Sequence, residues 1–187
     1  GYEVKIIDQR LDVSWKRNLI EELKKVPLYV GITSMSGTQI KFALQISKIV
    51  REISKEIPIV WGGAHATILP EQTLENPNID IVVEGEGEIT ALELTRAIEN
   101  KADLKSVPGI HFKEKDGSQI NTGPRPLMNM EDILPTPWDL VDPEDYIYKD
   151  FYMRNVKRTM DIGQTSRGCP YKCGYCCSSQ IRKYWRH

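Results

Sequence analysis

An α/β fold is predicted: a doubly wound parallel sheet of flavodoxin or Rossmann type, then a β-hairpin, a proline-rich linker and a cysteine-bearing tail. Three observations predict it. Strand-type and helix-type segments alternate from Val4 to Glu99. Such βαβα order argues for a parallel sheet with helices on both faces. The apolar runs are short and nearly continuous, as in strands buried on both faces. Polar loops rich in glycine, serine or acidic residues follow the later strands, where open parallel sheets keep their ligands.

The elements follow in order. Val4-Lys5-Ile6-Ile7 is a β-type run ending at Asp8, and Trp15, Leu19, Ile20 and Leu23 then recur at helical spacing. Leu28-Tyr29-Val30-Gly31-Ile32 reads as a buried strand, and Ile40, Ala43, Leu44, Ser47, Val50 and Ile53 mark a helix of several turns. Pro58-Ile59-Val60-Trp61 is the next strand, with Trp15 and Trp61 expected in the core. Pro70 to Glu75 suits a short helix, and Ile79 to Val83 another strand. Ile89 to Glu99 is helical, with Ile89, Leu92 and Ile98 facing the core. Gly109-Ile110-His111-Phe112, an Asp116-Gly117 turn and Ile120 read as a hairpin. Pro124, Pro126, Pro135, Pro137 and Pro143 preclude long helices and fit an extended connector. Its Trp138, Leu140, Tyr146 and Tyr148 are apolar enough to pack on a surface. The expected division is residues 1–105, the α/β domain; 106–160, hairpin and linker; and 161–187, the segment with the cysteine loop.

The totals narrow the function classes. A length of 187 residues fits one domain with an appendage, or two small domains. A net charge of −1 gives no reason to expect a nucleic-acid or anionic-membrane partner. No apolar run approaches the roughly 20 residues of a membrane span. The opening Gly1-Tyr2-Glu3-Val4-Lys5 reads as a strand rather than a signal peptide. All four cysteines lie between positions 169 and 177, whereas a secreted disulfide framework would spread them. A reducing cytoplasm and a metal-binding use are expected.

Three loops fall at the carboxyl ends of strands. Thr33-Ser34-Met35-Ser36 offers hydroxyls and amides at a helix start, suited to a ligand's amides or phosphate, or simply an N-cap. Gly62-Gly63-Ala64-His65-Ala66-Thr67 has no bulky side chain before His65, so a flat ligand can approach the backbone; alone, it is a tight turn. A hydrogen-bonding surface histidine is the plainer reading of His65, a metal ligand the sharper one. Glu84-Gly85-Glu86-Gly87-Glu88 repeats the pattern with carboxylates, which suit hydroxyl or amide donors better than phosphate. Glu88 also favours a helix dipole.

Cys169-Pro170-Tyr171-Lys172-Cys173-Gly174-Tyr175-Cys176 is the most specific pattern. Three thiolates on one tight loop can hold three irons of a cubane and leave the fourth open. An open position invites a substrate or cofactor, as at catalytic zinc. Structural zinc would need a fourth ligand, and Cys177 is too close to Cys176 to serve. A redox Cys-x-x-Cys pair leaves Cys169 without a place. Cys177 reads as a bystander.

Thr165-Ser166-Arg167-Gly168-Cys169 through Cys176 closely resembles the cluster motif of the radical S-adenosylmethionine superfamily. Gly1 to Asp8, Val30 to Ser36, Trp61 to Pro70, Asp80 to Glu88 and Pro108 to Phe112 resemble the cobalamin-binding domain of one class of those enzymes, and Leu134 to Leu140 its connector. The resemblance implies a [4Fe–4S] cluster on Cys169, Cys173 and Cys176, shielded by Tyr175. It implies S-adenosylmethionine on the open iron, split to a 5′-deoxyadenosyl radical. Cobalamin would lie over the strand edges at residues 33–36, 62–67 and 84–88. No Asp-x-His-x-x-Gly segment occurs, so cobalt without a protein histidine ligand is expected. The implied partners are a small-molecule or peptide substrate and an electron donor. Methyl transfer to an unactivated carbon is the first activity, oxidative cyclisation or rearrangement the second, and a non-catalytic module binding cobalamin or flavin a third. The resemblance also implies a strand before Gly1, lying between the strands at Val4 and Leu28 in a 2-1-3-4-5 order, and a barrel beyond Cys176. The chain alone is therefore expected to lack turnover.

Overall fold

The computed structural model describes residues 1–147, 166–181 and 184–187. Tyr148 and the lead-in at 161–165 lie outside the described residues. In chain order the elements are α1 (Trp15–Leu23), β1 (Val30–Thr33), α2 (Thr38–Ile53), β2 (Ile59–Gly62), α3 (Ala64–Ile68), α4 (Pro70–Glu75), β3 (Ile81–Val83), α5 (Gly87–Glu99), β4 (Ile110–Lys113), β5 (Gln119–Asn121) and α6 (Ser178–Ile181).

The sheet runs β1-β2-β3-β4-β5. Its first three strands are parallel, in register Val30↔Ile59 and Val60↔Ile81. The other two are antiparallel, so the sheet is mixed rather than parallel throughout. Residues 100–109 return the chain to the carboxyl end of β3, where Ile110 meets Val83. The hairpin then closes on a tight loop in which Gly117 donates to the Glu114 carbonyl. It thus extends the same sheet.

Alternation along the strands creates two cores. Ile59, Trp61 and Val82 face α1, α2 and α4 through Leu19, Leu23, Ala43, Val50 and Leu74. Val60, Ile81 and Val83 face α5 through Leu94 and Ala97, beside Ile110 and Phe112. Helices therefore cover both faces, as expected. Burying each such aliphatic side chain contributes about 1.5–3 kcal/mol. Trp61 is fully buried yet satisfied: its indole N–H donates to Ser47 Oγ at 2.9 Å, and that hydroxyl donates to the Ala43 carbonyl. Trp15 packs partly buried against the same cluster.

Three expectations are corrected. Residues 1–8 form no strand; Ile7 packs on the first core, and Asp8 turns back onto Arg10. A strand needs a neighbouring backbone, and among the described residues none flanks that segment. Second, β1 is an edge strand of which only Ile32 is buried, so its apolar run is not covered on both faces. Third, Leu92 is exposed, and α5 turns Thr90, Leu94 and Ala97 inward instead. Thr90 tolerates burial because its hydroxyl donates to the Pro108 carbonyl and accepts from Arg125. In the linker the described part makes only single helical turns, with Tyr146 half-buried near Asp8 and Leu140 exposed. Among the described residues no helix is long and apolar enough to cross a membrane.

Candidate cofactor site at the strand ends

The three loops are stitched into one ridge. Ser34, 1% exposed, donates its backbone N–H to the Gly62 carbonyl at 3.1 Å. Its own carbonyl accepts from the His65 amide, also at 3.1 Å. Ser36 Oγ lies 3.3 Å from His65 Nδ1. Thr67 Oγ1 accepts from the Gly85 amide at 3.0 Å, joining the second loop to the third. Gly63 is where the first two loops meet most closely. Its φ is 91°, and an added Cβ would lie 2.6 Å from Thr33 Oγ1 and 2.9 Å from the Ser34 carbonyl oxygen. Only glycine fits there.

Residues 64–68 are helical rather than a loop, and this turns His65 inward. His65 is hydrogen-bonded as expected, but buried rather than on the surface. Ala66 beneath it is fully buried. The serine-rich loop does not cap α2: Gly37 occupies the N-cap without a side-chain bond. Met35 projects outward, 59% exposed, with its amide donating to Gln39 Oε1. Above Gly85 an added Cβ would meet nothing within 4 Å among the described residues, so the ridge is open there.

The acidic loop turns its carboxylates onto protein cations. Glu84 Oε2 lies 2.8 Å from the buried His111 Nε2. Glu86, its side chain 11% exposed, pairs with both Arg167 and Arg186. Glu88, in the first turn of α5, pairs with Arg167 and raises that guanidinium's already high pKa. Sequence reasoning missed these partners. The only available signal was charge complementarity between an acidic loop and arginines far along the chain.

The cysteine loop is pinned at its base and exposed at its tip. Arg167 and Arg186 exchange backbone hydrogen bonds at 2.8 and 2.7 Å. Gly168, at φ 87°, sits where any Cβ would collide with the Tyr184 carbonyl. The Cys176 amide donates to the Cys173 carbonyl at 3.0 Å. Cys169 is half-buried; Cys173, Cys176 and Cys177 are exposed, and all four are free thiols. The Ser178 hydroxyl 3.3 Å from Cys176 Sγ lowers that thiol's pKa. Tyr175 is 94% exposed. Among the described residues no three His, Cys, Asp or Glu side chains gather as a metal-holding group. The free thiols of Cys169, Cys173 and Cys176, the first half-buried and the other two exposed, still fit a thiolate-bound centre by donor chemistry, since metal binding commonly gathers its ligands. Beyond the loop, α6 packs against α3, which sets the cysteines beside the ridge.

An α/β sheet with a row of joined loops at its strand ends defines a cofactor-binding domain of the doubly wound class. Residues 1–95 match the B12 binding domain, and the chain belongs to that family. It is 36% identical over 189 residues to an uncharacterized methyltransferase of Pyrococcus horikoshii, covering 99% of this chain and 39% of the relative. To the anaerobic magnesium-protoporphyrin IX monomethyl ester cyclase of Synechocystis it is 37% identical over 190 residues, covering 100% and 37%. The chain thus spans less than half the length of either relative. The structure of TsrM, a radical S-adenosylmethionine methyltransferase from Kitasatospora setae solved with cobalamin and a [4Fe-4S] cluster, superposes with a TM-score of 0.68. That match is 24% identical and covers 99% of this chain and 37% of TsrM, a likeness of fold.

Proposed function

We propose that this chain holds cobalamin on the strand-end ridge and a [4Fe–4S] cluster on Cys169, Cys173 and Cys176, within an enzyme that methylates an unactivated carbon using S-adenosylmethionine. The observation that carries the reading is the juxtaposition of a B12-family ridge with a three-thiol loop, through α3 and α6. When bound, the cluster would supply the electron that cleaves S-adenosylmethionine, and cobalamin the methyl group. This chain's residues do the holding. Gly63 keeps the first two loops in contact, Ser36 orients His65, and Thr67 fixes the Gly85 turn. The absence of an Asp-x-His-x-x-Gly segment supports cobalt without a protein histidine ligand. The free thiols suit a reducing cytoplasm, and a reducible cluster requires an electron donor. Oxidative cyclisation is the second reading, favoured by the Synechocystis relative's identity.

Anaerobic reconstitution of the chain with iron, sulfide and hydroxocobalamin tests the assignment. The expected result is about four irons per chain, a corrinoid spectrum that survives gel filtration, and loss of iron on changing any of the three cysteines to serine. A flavin spectrum on the purified chain, or iron content unchanged by Cys173→Ser, overturns it.

A further inference from the structure

Glu86 is the most enclosed of the three acidic side chains in its loop, and it does not face outward. Arg167 and Arg186 hold it from two sides, and their own side chains are only 16% and 18% exposed. These two arginines are also paired through their backbones, which closes the segment carrying all four cysteines into a loop with a single base. Arg186 additionally donates to the Met128 carbonyl, so the linker shares the junction. On its other side Glu86 precedes α5 and follows Gly85, whose amide is tied to Thr67.

We propose that Glu86 is a positioning residue: through Arg167 and Arg186 it clasps both ends of the cysteine loop to the third strand-end loop, and so sets the separation between cluster and cobalamin. The proposal rests on the cofactor assignment above. Its physical basis is that a nearly buried carboxylate ion-paired with two largely buried guanidiniums is hard to replace with water. Glu86 acts through the arginines.

Two measurements decide it. In the metal-free chain, Glu86→Gln is expected to speed hydrogen exchange at the Arg167 and Arg186 amides by at least about tenfold. Glu84→Gln, in the same loop but paired with His111, is expected to leave both amides unchanged. Arg186→Met opens the clasp from the other side and serves if Glu86→Gln folds poorly. In the chain loaded with both cofactors and reduced, pulsed electron paramagnetic resonance reads the distance between the paramagnetic cobalt and the cluster. A single narrow distance is expected for the native chain, and a shifted or broadened one for Glu86→Gln. Unchanged exchange in both clasp variants overturns the clasp. Faster exchange with an unchanged distance overturns the positioning role. Failure of the native chain to load either cofactor overturns the assignment and with it the positioning claim, while the exchange result still stands for or against the clasp.

Discussion

Ser34 and Cys173 belong to neighbouring loops of one candidate site, yet Ser34 is 1% exposed and Cys173 lies in solvent. The ridge is built by the fold. Its amides and hydroxyls bond across loops, and the strands below fix their spacing. Between its pinned ends the cysteine loop bonds within itself over short spans, from Cys176 to Cys173 and from Ile181 to Cys177. A ridge formed in advance loses little entropy when a large rigid ligand lands on it. A loop of exposed thiols takes its shape from the metal, and binding energy becomes folding energy. On the proposed assignment, one site would combine a surface prepared by packing with a surface completed by its ligand.

Paired glycine substitutions give the largest contrast. Gly63→Ala forces a side chain into left-handed backbone and against Thr33 and Ser34. The two effects together predict a loss of about 2–5 kcal/mol. Gly174→Ala, where a Cβ meets nothing within 4 Å, is expected to change stability by less than about 0.5 kcal/mol. Urea denaturation of both variants checks the pair. Similar midpoint shifts would remove the distinction between the two surfaces.

Cysteine removal is the next test. Cys173→Ser in the metal-free chain is expected to leave stability within about 0.5 kcal/mol, because the thiol is exposed and free. After reconstitution the same change abolishes the cluster. Chelating iron from the loaded native chain is expected to accelerate exchange across residues 169–176 and to leave the Ser34 and His65 amides protected. Equal loosening of both regions would show that the metal also organises the ridge. Smaller is the effect of Thr67→Val, which keeps the shape and removes the acceptor for the Gly85 amide. A loss of about 1 kcal/mol is expected. Cobalamin titration of this variant should show weaker binding with the iron content unchanged.

The contrast also separates what was legible in the sequence from what was not. Local rules sufficed where one segment decides its own state. Pro70 opens α4, and Glu75 ends it at the expected position. The turn at Asp116-Gly117 closes the hairpin. The three strand-end segments were placed correctly, residues 64–68 being helical rather than loop, because each follows a strand of parallel type. Features set by partners distant in sequence were not legible. Val4–Ile7 has strand composition, but composition supplies no neighbouring backbone. The inward face of α5 was hidden by Thr90, a polar residue whose partners come from Pro108 and Arg125. Glu86 and Arg186 are 100 residues apart, so nothing local announces their pairing.

The opposite ends of the same strands provide the smallest test. There Asp80 accepts from the Ile59 amide at 2.7 Å and pairs with Arg51. Nearby, Lys113 donates to the Asn76 and Ile79 carbonyls at 2.6 and 3.1 Å. Burial lowers the Lys113 pKa below its ordinary 10.5; Asp80 opposes that shift and Arg51 adds to it. Between the folded value and 10.5 the unfolded chain binds more protons, so folding stability rises with pH through that window. The stability gained is complete above 10.5 and is lost as the pH falls through the lower folded value. Lys113→Met removes this slope, so the urea midpoint of the native protein should rise relative to that of the variant as the pH climbs to 10.5. The ridge lies at the other end of the strands, so its cobalamin affinity should follow neither the substitution nor this titration. A ridge that weakened with Lys113→Met would mean that its rigidity depends on the far end of the sheet, and the separation between a surface set by the fold and one set by its ligand would have to be drawn along the whole strand rather than at its tip.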